Sequence, residues 1–153
     1  MPRRPSRADL HDRVALRLAA FDQRYTANRR RLVEVLADGD RPLPIADVIA
    51  TAQVPTSSAY RNLTVLAEAG VVRRVVASAA SADDAGRFEL SEELSGRHHH
   101  HLVCGSCGDV ADVESSPKLE RALADAARTA IEGTGYEVFD HRIDLVGRCP
   151  ACR

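Results

Sequence analysis

Apolar positions recur every three to four residues through the N-terminal half and alternate through much of the rest. That switch of period predicts a helical unit followed by a mixed one. Leu10, Val14 and Leu18 mark a first helix, with Ser6 and Asp9 at capping-box spacing. Thr26 caps a second helix over Leu32, Val33, Val35 and Leu36, which stops near Asp38-Gly39. Pro44 suits the first position of a third, with Ile45, Val48 and Ile49 facing inward. A fourth starts at Pro55-Thr56 and ends with Gly70 at C′. It turns Ala59, Leu63 and Leu66 to one side and Ser57, Tyr60, Arg61 and Thr64 to the other. Two short helices with a polar, Arg-bearing outer face match a helix-turn-helix that offers its second helix to the DNA major groove.

The run Val71 to Val76, an Ala-, Ser- and Asp-rich stretch (77–86) and Phe88-Glu89-Leu90 add a two-stranded hairpin, which makes the unit a winged helix. Residues 93–97 read as a hinge between a DNA-binding domain (1–92) and a second domain (98–153). In the second, His100 to Val103 and Val110 to Val113 read as strands. Pro117 to Glu132 reads as a helix capped by Ser116, and Tyr136 to Val146 as one or more alternating strands. The class is α+β.

Composition adds three constraints. With three Phe, three Tyr and no Trp, two small cores must be built from aliphatic residues, so a metal or a dimer interface is expected to help. The net charge of −1 hides a polarity: residues 1–76 hold 13 Arg against 8 acidic residues, and residues 77–153 hold 8 basic against 14 acidic. A basic first half points to nucleic acid. No apolar run reaches the length of a membrane span, and the N-terminal segment lacks a signal-peptide core, so the expected location is the cytoplasm with no membrane partner. Thiols there stay reduced, and clustered cysteines read as metal ligands.

All four cysteines fall in two CxxC pairs, Cys104/Cys107 and Cys149/Cys152, the arrangement of a tetrahedral structural zinc site. His98, His99, His100 and His101 precede the first pair. In an extended segment His98 and His100 face one way, His99 and His101 the other, so each pair could serve a distinct metal. Further ligands are to be sought among His141, Glu120 and one of Glu89, Glu92 and Glu93. Imidazole with carboxylate suits iron, manganese, nickel or zinc.

The segments SSAYRNL, HHHHLVCGSCG and FDHRIDLVGRCPAC make residues 10–153 resemble the ferric uptake regulator (Fur) family of bacterial metalloregulators. The resemblance implies an N-terminal winged helix, a C-terminal α/β dimerisation domain and metal-dependent repression from a palindromic double-stranded operator. It implies structural zinc on Cys104, Cys107, Cys149 and Cys152. It also implies a site in the dimerisation domain (His98, His100, Glu120, His141) and an interdomain sensing site (His99, His101, Glu89). Tyr60 and Arg61 match the family's DNA-touching pair. The family often adds a histidine from the first domain to the sensing site, where this chain reads RPLPIADV. A cysteine common before the His run in zinc-sensing members is also missing, which tilts the regulatory ion from Zn2+ toward Fe2+. A zinc-responsive or peroxide-sensing member, and outside the family a metal buffer or chaperone, are the alternatives. No HExxH-like pattern supports an enzyme. The expected mechanism is a population shift in which metal holds the two winged helices of a homodimer at operator spacing.

Overall fold

The computed structural model describes residues 5–75 and 86–153. Helices α1 (Arg7–Ala19), α2 (Ala27–Asp38), α3 (Ile45–Ala52) and α4 (Thr56–Glu68) build the first unit. Ser6 and Thr26 cap α1 and α2 by accepting the amides of Asp9 and Arg29, at 3.1 and 3.4 Å. Gly70 follows α4 with φ 65°, the left-handed conformation that ends a helix. The apolar stripes meet in one core, in which Val14, Leu18, Leu32, Val33, Val48, Leu63 and Leu66 are fully buried. Arg29, itself buried, donates to Asn62 Oδ1 (3.0 Å), Gln23 Oε1 (2.9 Å) and the Arg24 carbonyl (2.6 Å), and so locks α2 against α4.

The wing departs from expectation. Pro44 is not the first helical residue; it sits in β1 (Leu43–Pro44), which pairs with β3 (Arg87–Leu90). Proline has no amide to donate, so an outer strand tolerates it. The hairpin of β2 (Val72–Val75) and β3 is therefore a three-stranded sheet, ordered β1-β3-β2. Val76 and the expected loop, apart from Gly86, lie outside the described residues. The hinge segment carries a short helix, α5 (Glu92–Ser95), because Leu94 is fully buried in the first core.

The second unit is β4 (His100–Cys104), β5 (Val110–Val113), α6 (Pro117–Thr134) and β6 (Asp144–Gly147), with sheet order β5-β4-β6. Ser116 caps α6 as expected, through the Leu119 amide. Of the strand or strands expected over Tyr136 to Val146, only the end from Asp144 pairs, in parallel with β4. Residues 136–143 lead from α6 to the β6 edge of the sheet, where the Ile143 carbonyl accepts the His101 amide of β4 at 3.2 Å. The core here is small: Val75, Val103 and Val110. No residue of α6 or β6 is buried, and Tyr136, Phe139, Leu145 and Val146 are more than half exposed.

Candidate metal centres and nucleic-acid face

Among the described residues, three sets of side chains bring ligand atoms within 4.8 Å of one another. The first is Cys104, Cys107, Cys149 and Cys152. The β4–β6 pairing lays Gly147 beside Cys104, which returns the second CxxC to the first. Cys107 Sγ lies 3.6 Å from Cys149 Sγ, near the ~3.8 Å edge of a tetrahedral ZnS4 site. The Cys149, Cys107 and Ser106 amides draw the Cys104 thiol down to about 6. Cys152, crowded by Cys149 and Cys107, is pushed up to about 12. The Cys104 thiolate forms readily, and Cys107 and Cys152 resist ionising beside it until a cation offsets the charge.

The second set is His98, His100, Glu120 and His141. Glu120, in the first turn of α6, reaches His100 Nε2 at 2.9 Å, His98 Nε2 at 3.1 Å and His141 Nε2 at 3.2 Å. Chiefly through the Ser115 hydroxyl, and then through His100, the Glu120 carboxyl is held at about 2. His98 turns its other nitrogen, Nδ1, to Glu92 Oε2 at 2.6 Å, and this bond raises its pKa.

The third set is Glu89, His99, His101 and Asp112. His99 Nε2 lies 2.9 Å from Glu89 Oε2, and His101 Nε2 lies 3.4 Å from the same carboxylate. The Nδ1 atoms are engaged elsewhere, by the Arg97 carbonyl and by Asp144 Oδ1, each at 3.3 Å. Both rings thus present Nε2 inward, the orientation that outer hydrogen bonds impose on metal-binding histidines. Burial alone would raise the Glu89 pKa, but the bonds from His101 and His99 bring it down to about 2. Glu89 in turn raises His99, and raises His101 against the effect of its burial. Burial pushes the Asp112 carboxyl up.

Three buried side-chain atoms make no well-aligned hydrogen bond among the described residues: Glu89 Oε1, Asp112 Oδ1 and His141 Nε2, the last despite its 3.2 Å approach to Glu120 Oε2. All three belong to the two His-carboxylate sets. A buried acceptor without a partner is costly, and a divalent cation would satisfy it. The donor sets therefore fit metal ions.

The structure brings each sequence-predicted ligand into its expected set and decides among the three glutamates. Glu89 joins His99 and His101, Glu92 orients His98 from outside, and Glu93 pairs with Arg17 at 3.8 Å. Sequence reasoning missed Asp112. Only the β4–β5 register, which sets Asp112 opposite His101, marks it. His11, left outside the sets, bonds the Tyr25 hydroxyl at 2.7 Å.

On α4, Ser57, Tyr60, Arg61 and Thr64 are all exposed on the face opposite Ala59, Leu63 and Leu66. Arg61 Nε donates to the Ser57 carbonyl at 3.3 Å, and its fork stays in solvent.

A winged helix with a polar outer helix, joined to an α/β unit bearing three convergent ligand sets, defines a class: metal-responsive DNA-binding transcription regulators. The description "Ferric uptake regulator family" matches residues 21–146, and the chain belongs to that family. It is 28% identical over 147 residues to the ferric uptake regulation protein of Bacillus subtilis, covering 92% of this chain and 93% of that one. It is 27% identical over 135 residues to the peroxide operon regulator of the same organism, covering 84% and 83%. Among solved structures, the Helicobacter pylori ferric uptake regulator Fur, a protein with three functional metal-binding sites, shares the fold. Its TM-score is 0.75 at 18% identity, over 99% of this chain and 97% of that chain.

Proposed function

We propose that this protein is a metal-activated repressor whose interdomain ion converts two loosely joined units into one DNA-binding shape. One placement carries the reading: Glu89 stands on wing strand β3, whereas its partners His99, His101 and Asp112 belong to the segment and strands after α5. An ion shared by these four ties the DNA-binding unit (1–92) to the second unit (98–153). Binding that favours the tied form by a few kcal/mol shifts the population enough to switch operator occupancy. The imidazole-carboxylate donors admit Fe2+ and Zn2+ alike, and the absence of a cysteine before the His run favours Fe2+ as the regulatory ion.

The other residues follow from the same reading. Cys104, Cys107, Cys149 and Cys152 hold a structural zinc that supports a unit with a very small core. His98, His100, Glu120 and His141 hold a second ion. Ser57, Tyr60, Arg61 and Thr64 face the DNA. The protein acts as a homodimer on a palindromic operator. The support for dimerisation is β6, an edge strand with Leu145 and Val146 exposed, together with an α6 in which no residue is fully buried among the described residues.

The test is a gel-shift titration on the chain's own promoter DNA with Fe(II), Mn(II), Zn(II) and Ni(II), starting from protein with one zinc per chain. Retardation that requires added metal, with Fe(II) acting at the lowest concentration, is expected. Equal DNA binding in the presence of a chelator overturns metal activation.

A further inference from the structure

Arg73 lies on β2, directly opposite Glu89 in the β2–β3 register, with only 11% of its side chain exposed. Its guanidinium faces three carboxylates. Nη1 is 3.1 Å from Glu92 Oε1 and 4.0 Å from Glu89 Oε1, and Nη2 is 3.3 Å from Asp140 Oδ2. Each contact leads to a metal set. Glu89 is itself a ligand of the His99/His101 set. Glu92 holds His98 Nδ1 at 2.6 Å. Asp140 accepts the His141 amide at 2.8 Å. A cavity of about 100 Å3 lined by Arg73, His99, His100, His101 and His141 lies between the two sets.

We infer that Arg73 is a positioning residue that couples the two His-carboxylate sites, so that filling the Glu89 site tightens metal binding at the His98/His141 site. The inference rests on the metal-binding reading above. An ion at Glu89 takes up that carboxylate's charge and repels the guanidinium beside it. With Glu89 no longer competing for its charge, Arg73 holds more tightly the bonds it already makes to Glu92, which holds the His98 ring, and to Asp140, which accepts the His141 backbone amide. Ligands already held in place lose less freedom on binding, so the second ion binds more tightly. Arginine suits the task because its planar fork can donate to two carboxylates at once.

The test uses the full chain with its zinc and Co(II) as an optical probe. Affinity at the His98/His141 site is measured in the otherwise unaltered protein, where the Glu89 site fills, and in His99→Ala, where it does not. The pair is then repeated with Arg73→Gln. We expect His99→Ala to weaken the second site about fivefold or more with Arg73 present and by less than twofold without it. Arg73→Lys keeps the charge but not the fork. It serves if the Gln variant fails to fold, and it should also lose most of the coupling. A coupling of the same size with and without the Arg73 fork, or none in either background, overturns this inference alone. A chain that takes up no Co(II) at either set overturns the metal-binding reading and this one with it.

Discussion

Glu89→Gln removes one charge and little else, because the amide nearly matches the carboxylate in shape. Glu89 is buried against two imidazoles and held at about 2 where an ordinary glutamate stands at 4.5. That gap corresponds to about 3 kcal/mol of native-state preference for the charged carboxyl. Glutamine keeps part of the hydrogen bonding, so the loss in protein carrying only the cysteine-bound zinc should be about 2 kcal/mol. The pH dependence gives the sharper test. The Glu89 contribution is complete above pH 4.5 and fades as pH falls toward 2. His99 and His101 have raised pKa values, so their contribution is complete below 6.5 and fades as pH climbs through those raised values. The stability gap between the two proteins should therefore peak between about pH 4.5 and 6.5 and narrow on both sides. Urea unfolding at a series of pH values measures it. A gap that is flat with pH, or zero at pH 6, refutes charge pairing in the Glu89 set.

Arg61→Ala should weaken operator binding by about 1–3 kcal/mol in a gel shift and leave zinc content and oligomeric state unchanged; unaltered DNA affinity refutes the assignment of the α4 face. Cys149→Ser should lose the bound zinc, measured by native mass spectrometry, and with it the dimer, since among the described residues Val75, Val103 and Val110 alone form the second core. A zinc-free dimer refutes the structural role. Leu145→Arg, on the exposed edge strand, should shift sedimentation from dimer to monomer at micromolar concentration while far-ultraviolet circular dichroism stays the same. Leu63→Ala, at a fully buried α4 position, should cost about 2–5 kcal/mol in urea unfolding.

Much of this molecule is written in local pattern. The four long helices of the first unit follow from stripes such as Leu10/Val14/Leu18 and from caps such as Ser6 and Thr26, which act within one or two turns. The split of the histidines between two sets follows from the alternation of an extended chain, which depends on no distant residue. Gly70 ends α4 because the φ of 65° there suits glycine.

What lay beyond the sequence depends on long-range pairing. Glu89 was one of three candidate glutamates, and only the burial of Leu94, which folds 92–95 into a helix, turns Glu93 away and leaves Glu92 behind His98. Asp112 becomes a neighbour of His101 solely through the β4–β5 register. Pro44 could start a helix on local grounds but joins the wing because β3 runs alongside it. Strand pairing has no fixed sequence separation, so periodicity cannot announce it. For that reason the cysteine and histidine sets, and Glu120 with them, could be read along the chain, whereas the choice of Glu89, the entry of Asp112 and the outer role of Glu92 were decided by the fold.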